Sequence, residues 1–215
     1  MTYSRGQVDG ALWKVFNRTG GTLPPTAFTR RITKLVELGV PFGTEGRPGK
    51  GSVISYTKPH VFEQSVGLTM LDAGFTQGDV AFLLKNQRKF LANAFKIIMD
   101  NRPEWREKIS AIDRPHSPVH PNDPKTADTS YFMIFRKVEL REAYSATLKI
   151  DPKIPFIFKP KYLIGLSALH DEIDLLATSD ENICTVIELS YLADHVVKYL
   201  DQAPDIKRGR RKKEG

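Results

Sequence analysis

The sequence predicts an α+β chain, with a helical N-terminal half and a small mixed α+β domain at the C-terminal end. Three observations predict it. Apolar residues recur in steps of three and four through most of residues 5–101, the period of helices that bury one face. Short aromatic and β-branched runs, "SYFMIFRKV", "IPFIFKP" and "NICTVIEL", concentrate after residue 130 and have the composition of strands. Between the two regions lies "DRPHSPVHPNDPKTADTS", residues 113–130, with four prolines and almost nothing apolar, which reads as an extended linker.

The first helix is expected over "RGQVDGALWKVF", where Val8, Leu12 and Val15/Phe16 share a face. Two glycines and two prolines in "NRTGGTLPPTAF" end it. Pro25 or Thr26 then opens a second helix, with Phe28, Ile32, Leu35 and Val36 as its stripe and Gly39 as its stop. Helix, turn and helix are complete within about forty residues. The segment "VPFGTEGRPGKGSVISYT" follows as a glycine-punctuated turn running into a short β-branched stretch.

A third helix starts near Thr57–Pro59 and carries Val61, Phe62, Val66, Leu68 and Leu71 to Gly74. Thr76 and Asp79 form a capping pair for a fourth, expected to reach about Asn101. Its residues Leu84, Gln87, Leu91, Ala94 and Ile98 alternate in threes and fours. That spacing serves either the seam of a coiled coil or packing against the helix's own domain. Beyond the linker, "YLIGLSALHDEIDLLA" and "SYLADHVVKYL" read as helices. The expected divisions are residues 1–76, a helical extension over 77–112 with possible dimerisation, the linker 113–130, the α+β domain 131–203 and a disordered basic tail 204–215.

The 215 residues carry a net charge of +7, unevenly spread. Residues 1–110 hold 16 Lys and Arg against 9 Asp and Glu, residues 111–205 hold 10 against 15, and residues 206–215 hold 6 against 1. A polyanion is therefore expected on the N-terminal half, and the tail "KRGRRKKEG" reads either as a solvated end or as added phosphate contacts. Cys184 is the single cysteine, so no internal disulfide can form. The start "MTYSRGQVDGALWKVF" lacks a signal-peptide core, and no stretch approaches membrane-spanning length, so the expected location is the cytoplasm.

"GRPGKGSVISYT" invites a nucleotide-cradling reading, but its chemistry is wrong for one. Gly43 stands six residues before Gly49 rather than five, and Gly51 follows Lys50 where a magnesium-binding hydroxyl is needed. A β-wing suits the segment better, presenting Arg47, Lys50 and Ser52 to a phosphate backbone. An ordinary solvated hairpin is the competing reading. His116 and His120 lie in the proline-rich linker with no companion ligands, and His170 and His195 sit among surface acids. No metal, no cofactor and no catalytic signature is expected.

The order of these elements resembles the winged helix-turn-helix domain of the MerR family over residues 3–86. Tyr56 and Thr57 match the family's wing exit. Ala73, Gly74, Phe75 and Thr76, followed by Val80, Leu83 and Leu84, match the signature that opens its next helix. Two features depart from the pattern: "RITKLVELGV" lacks the paired aromatic near the end of the second helix, and the turn before that helix is longer. The resemblance implies a bacterial, nucleoid-associated homodimer that regulates transcription by binding double-stranded DNA in a sequence-specific way.

The second helix would offer Thr26, Thr29, Arg30, Arg31 and Lys34 to the major groove, where Arg suits guanine and a threonine methyl suits thymine. Arg47, Lys50, Ser52 and Tyr56 of the wing, with Tyr3, Ser4 and Arg5 at the first helix, would meet phosphates. A protein or small-molecule effector would bind the C-terminal domain. The alternatives are an architectural, excisionase-like protein that bends DNA, a protein–protein adaptor working through the C-terminal domain, and last an enzyme housed there.

Overall fold

The computed structural model describes residues 1–17, 23–42, 54–101, 130–136, 160–177 and 184–204. Among these the chain is a helix-rich α+β structure. Six helices, α1 (Arg5–Phe16), α2 (Thr26–Glu37), α3 (Lys58–Asp72), α4 (Gln77–Asp100), α5 (Leu166–Ala177) and α6 (Leu189–Asp201), surround three strands, β1 (Tyr131–Arg136), β2 (Lys161–Ile164) and β3 (Cys184–Glu188). The expected wing turn, the linker, the strand in "IPFIFKP" and the basic tail lie outside the described residues, apart from a residue or two at their edges.

Local chemistry sets the helix ends. Ser4 and Gln7 cap α1 reciprocally: the Ser4 N–H donates to Gln7 Oε1 at 2.8 Å and the Gln7 N–H donates to Ser4 Oγ at 3.4 Å. Thr76 and Asp79 do the same for α4 at 3.2 and 3.4 Å. Gly39, at φ 83°, takes the left-handed turn that ends α2. Trp13 and Phe28 then meet edge-to-face, 5.1 Å between ring centres, and fix α1 against α2.

Gly67 of α3 sits where α2 and α4 converge. A Cβ there would lie 3.2–3.3 Å from Leu84, Leu35 and Val80, so a side chain would force the three apart.

The sheet is antiparallel throughout, in the order β2-β1-β3. Met133 faces both Tyr162 and Ile187 across the ladders, so these three share one side of the sheet with Tyr131 and Phe135. That side joins the helical core, where Phe75 packs on Phe135 with ring centres 5.0 Å apart. Phe132 and Ile134 are buried on the opposite side, where Lys161 of β2 reaches Glu172 of α5 at 2.7 Å.

Tyr162, Leu163 and Ile164, expected to begin a helix, form strand β2 instead. Pairing with β1 decides this, and Gly165 at φ 86° makes the turn from which α5 starts.

The two ends of the chain meet. α6 packs against α1, α3 and α4, and its Leu189, Leu192, Val196 and Leu200 are buried in the same cluster as Val8 and Leu12 of α1. The Ser190 hydroxyl accepts the Tyr131 N–H at 2.6 Å and ties the start of β1 to this helix. One hydrophobic core therefore spans both sides of the proline-rich segment. Leu84, Gln87, Leu91, Ala94 and Ile98, the alternating set on α4, are all buried within that core. Their spacing records packing inside the chain, the second of the two readings open for it.

Candidate nucleic-acid interface

Amphipathicity builds the candidate interface on α2. Phe28, Ile32 and Leu35 are buried, and with 3.6 residues per turn this points Thr26, Arg30, Thr33, Lys34 and Glu37 away from the core. Arg30 is exposed and makes no ion pair or hydrogen bond among the described residues. Lys34 reaches Glu37 one turn on at 3.2 Å, a solvent-exposed pair of small energetic weight. Thr29 Oγ1 donates to the Thr26 carbonyl at 3.0 Å and is partly turned towards the core.

Arg31 differs from its neighbour. Its guanidinium binds Asp72 at the end of α3 at 2.6 Å, so it holds α2 to α3.

Arg5 brings the first helix to this surface. Its Nε binds Asp9 at 2.6 Å, and its Nη2 donates to Thr33 Oγ1 at 3.2 Å. Thr33 belongs to the outward face although sequence reading passed over it. Its place one turn beyond Thr29 and three residues beyond Arg30 was the signal that could have found it. Ser4 spends its hydroxyl on capping α1, as described above.

Tyr3 and Tyr56 are inside the molecule, 2% and 1% exposed, and the only polar contacts they make are with the chain itself among the described residues. They form an antiparallel bridge, with N–H···O distances of 2.8 and 3.0 Å, which joins the stretch after residue 53 to the start of the chain. The Tyr3 hydroxyl donates to Asp201 at 3.1 Å, and Arg5 Nη1 donates to the Tyr56 hydroxyl at 3.4 Å. Burial, with the hydrogen bond and charge of Asp201, pushes the Tyr3 phenol up to about 12. Arg47, Lys50 and Ser52 lie outside the described residues.

A second polar cluster stands where α2 leads out through Phe42. Arg88 of α4 donates to the Phe42 carbonyl at 3.3 Å. The buried Glu63 of α3 is raised to about 7 by loss of solvent, partly offset by the Phe42 N–H and by Arg88. Its Oε1 has no hydrogen-bond partner among the described residues. Burial, and the nearby Arg88 charge, lower His60 from its usual range.

Among the described residues no three His, Cys, Asp or Glu side chains group to hold a metal ion, and no helix is long and apolar enough to cross a membrane. No family model, curated protein or solved structure matches the chain. The likeness of residues 3–86 to the MerR family therefore rests on the motifs alone.

Proposed function

We propose that the chain is a sequence-specific, double-stranded DNA-binding transcriptional regulator with a winged helix-turn-helix of MerR-like design. It works as a binding protein, not an enzyme, in the bacterial cytoplasm. One observation carries the reading: α2 presents Thr26, Arg30, Thr33 and Lys34 outward while its other face is locked in the core. A rigid helix that presents an exposed Arg without an intrachain partner among the described residues, beside exposed Thr methyl groups, has the chemistry that reads base edges in a major groove. The long guanidinium of Arg30 suits guanine O6 and N7, and the Thr26 and Thr33 methyl groups suit thymine.

Phosphate positioning falls to Arg5 and Lys34 on the described surface, together with Arg47 and Lys50 of the expected wing. Tyr3, Tyr56 and Arg31 act behind this surface by holding α1 and α2 in place.

The test is selection of bound sequences from a random duplex pool by the full chain, followed by titration of the enriched site at several salt concentrations. The reading expects one enriched motif and affinity that falls steeply with salt. Failure to retain any duplex at low salt refutes it.

A further inference from the structure

The alternating apolar set on α4 is buried, so the helix's other face is its accessible one. That face carries Phe82 and Phe90, 40% and 49% exposed, beside exposed Lys85 and Lys89. No acidic residue stands between Asp79 and Asp100. Single exposed apolar residues are ordinary on a protein surface, but two aromatics along a purely basic helix face are a patterned feature.

α5 carries the complement. Leu166 and Ile173, 55% and 41% exposed, share one flank of the helix, with exposed Asp174 next to it and exposed Asp171 further round, and the helix has no Lys or Arg. Among the described residues the cationic groups beside it are Lys161 of β2, committed to Glu172 at 2.7 Å, and His170 when protonated, 3.8 Å from Asp174. The spacings also match. At 1.5 Å per residue along the axis, Phe82 and Phe90 are offset by about 12 Å and Leu166 and Ile173 by about 10.5 Å.

We propose that α4 of one copy docks on α5 of a second copy, pairing aromatic with aliphatic and lysine with aspartate. β2 separates the two faces within one copy: its Tyr162 meets Phe90 and Gln87 of α4, while its Lys161 meets Glu172 of α5 from the other side of the sheet. A chain's α4 therefore engages another molecule's α5. The contact is made twice in a two-fold dimer, α4 on α5 and α5 on α4, or once per neighbour in a head-to-tail assembly, and the two arrangements share the same pairing. A DNA backbone would satisfy the lysines, but it would give Phe82 nothing apolar to bury and would leave the acidic face of α5 unexplained.

The test uses the full chain without DNA, so it is separate from the test of DNA binding. Sedimentation over a concentration series should show association that weakens with added salt. The doubly reversed variants Lys85→Glu/Lys89→Glu and Asp171→Lys/Asp174→Lys should each weaken it at least about tenfold, because like charges then face each other. Their circular dichroism should match the parent. Mixed in equal amounts, the two variants should associate again, since each then offers a face complementary to the other. A wild-type chain that stays monomeric at its highest soluble concentration overturns the proposal. So does association that survives both reversals, or variants that fail to rescue each other. A monomeric wild type that loses duplex affinity on Lys85→Glu/Lys89→Glu would assign the face to nucleic acid instead.

Discussion

The Tyr3 hydroxyl donates a hydrogen bond of 3.1 Å to the carboxylate of Asp201, 198 residues away in sequence. Lys58, at the first turn of α3, reaches the same carboxylate at 2.8 Å. The last described helix thereby holds the first strand-like residue of the chain and the helix that follows Tyr56. Any event that displaces α6 acts directly on the support beneath α1 and α2.

Breaking this link should cost stability without disturbing α2's outer face. Tyr3→Phe is expected to destabilise by about 1 kcal/mol, the net worth of one hydrogen bond. A double-mutant cycle with Asp201→Asn, read by urea unfolding, should return a coupling of similar size. The pH response has a definite sign. The folded phenol is raised above its ordinary 10.0, so its contribution is complete below pH 10 and declines as pH rises towards about 12. Tyr3→Phe should lack that alkaline decline.

Glu63 predicts a slope nearer neutrality. Its folded value of about 7 lies above the ordinary 4.5, so the stability it confers is full below 4.5 and is lost as pH rises through about 7. The loss is on the order of 3 kcal/mol. His60, lowered in the fold, works oppositely: its contribution is full above its ordinary 6.5 and is lost as pH falls below it. The clean window is therefore pH 6.5 to 8. There the wild-type urea midpoint should fall, while Glu63→Gln should stay level and be the more stable protein at pH 8.

Residues 1–110 alone should not fold cooperatively. Removing the C-terminal half strips Leu189, Leu192, Val196 and Leu200 from the core. At about 1.5–3 kcal/mol for each buried side chain, the loss is on the order of 6–12 kcal/mol, comparable to a whole domain's stability. Thermal unfolding followed by circular dichroism checks this, and a sharp transition in the fragment would contradict it.

Arg30 and Arg31 should separate despite their adjacency. Arg30→Ala should leave stability within about 0.5 kcal/mol, yet weaken binding to the selected duplex by about 1–3 kcal/mol and relax its sequence preference. Arg31→Ala removes a half-exposed pair with Asp72 and should cost stability about 0.2–1 kcal/mol. Its base preference should be unchanged. Parallel unfolding and competition-binding measurements distinguish the two.

Much of the helical framework was legible because its signals are local. Thr76 with Asp79, Gly39 after α2 and the Phe28–Ile32–Leu35 stripe each act within a turn or two of backbone. Tyr162–Ile164 departs from the helical expectation for the opposite reason. An apolar triplet suits either a helix or a strand, and only the ladder to β1, about thirty residues earlier, selects the strand. The candidate interface divides in the same way. Periodicity places Arg30 and Lys34 outward, but no local pattern says that Arg31 is claimed by Asp72 or that Tyr3 and Tyr56 are enclosed.

The sequence by itself determined where four N-terminal helices begin and end and which of their faces seek burial, since capping and periodicity are properties of neighbouring residues. Only the tertiary structure decided what those faces are buried against. The spacing of Leu84, Leu91 and Ile98 is equally good for a partner chain or for α3 and α6, because apolar burial carries no direction. The return of α6 to α1 settled that choice, and with it left Arg30 and Lys34 of α2 and Lys85 and Lys89 of α4 exposed.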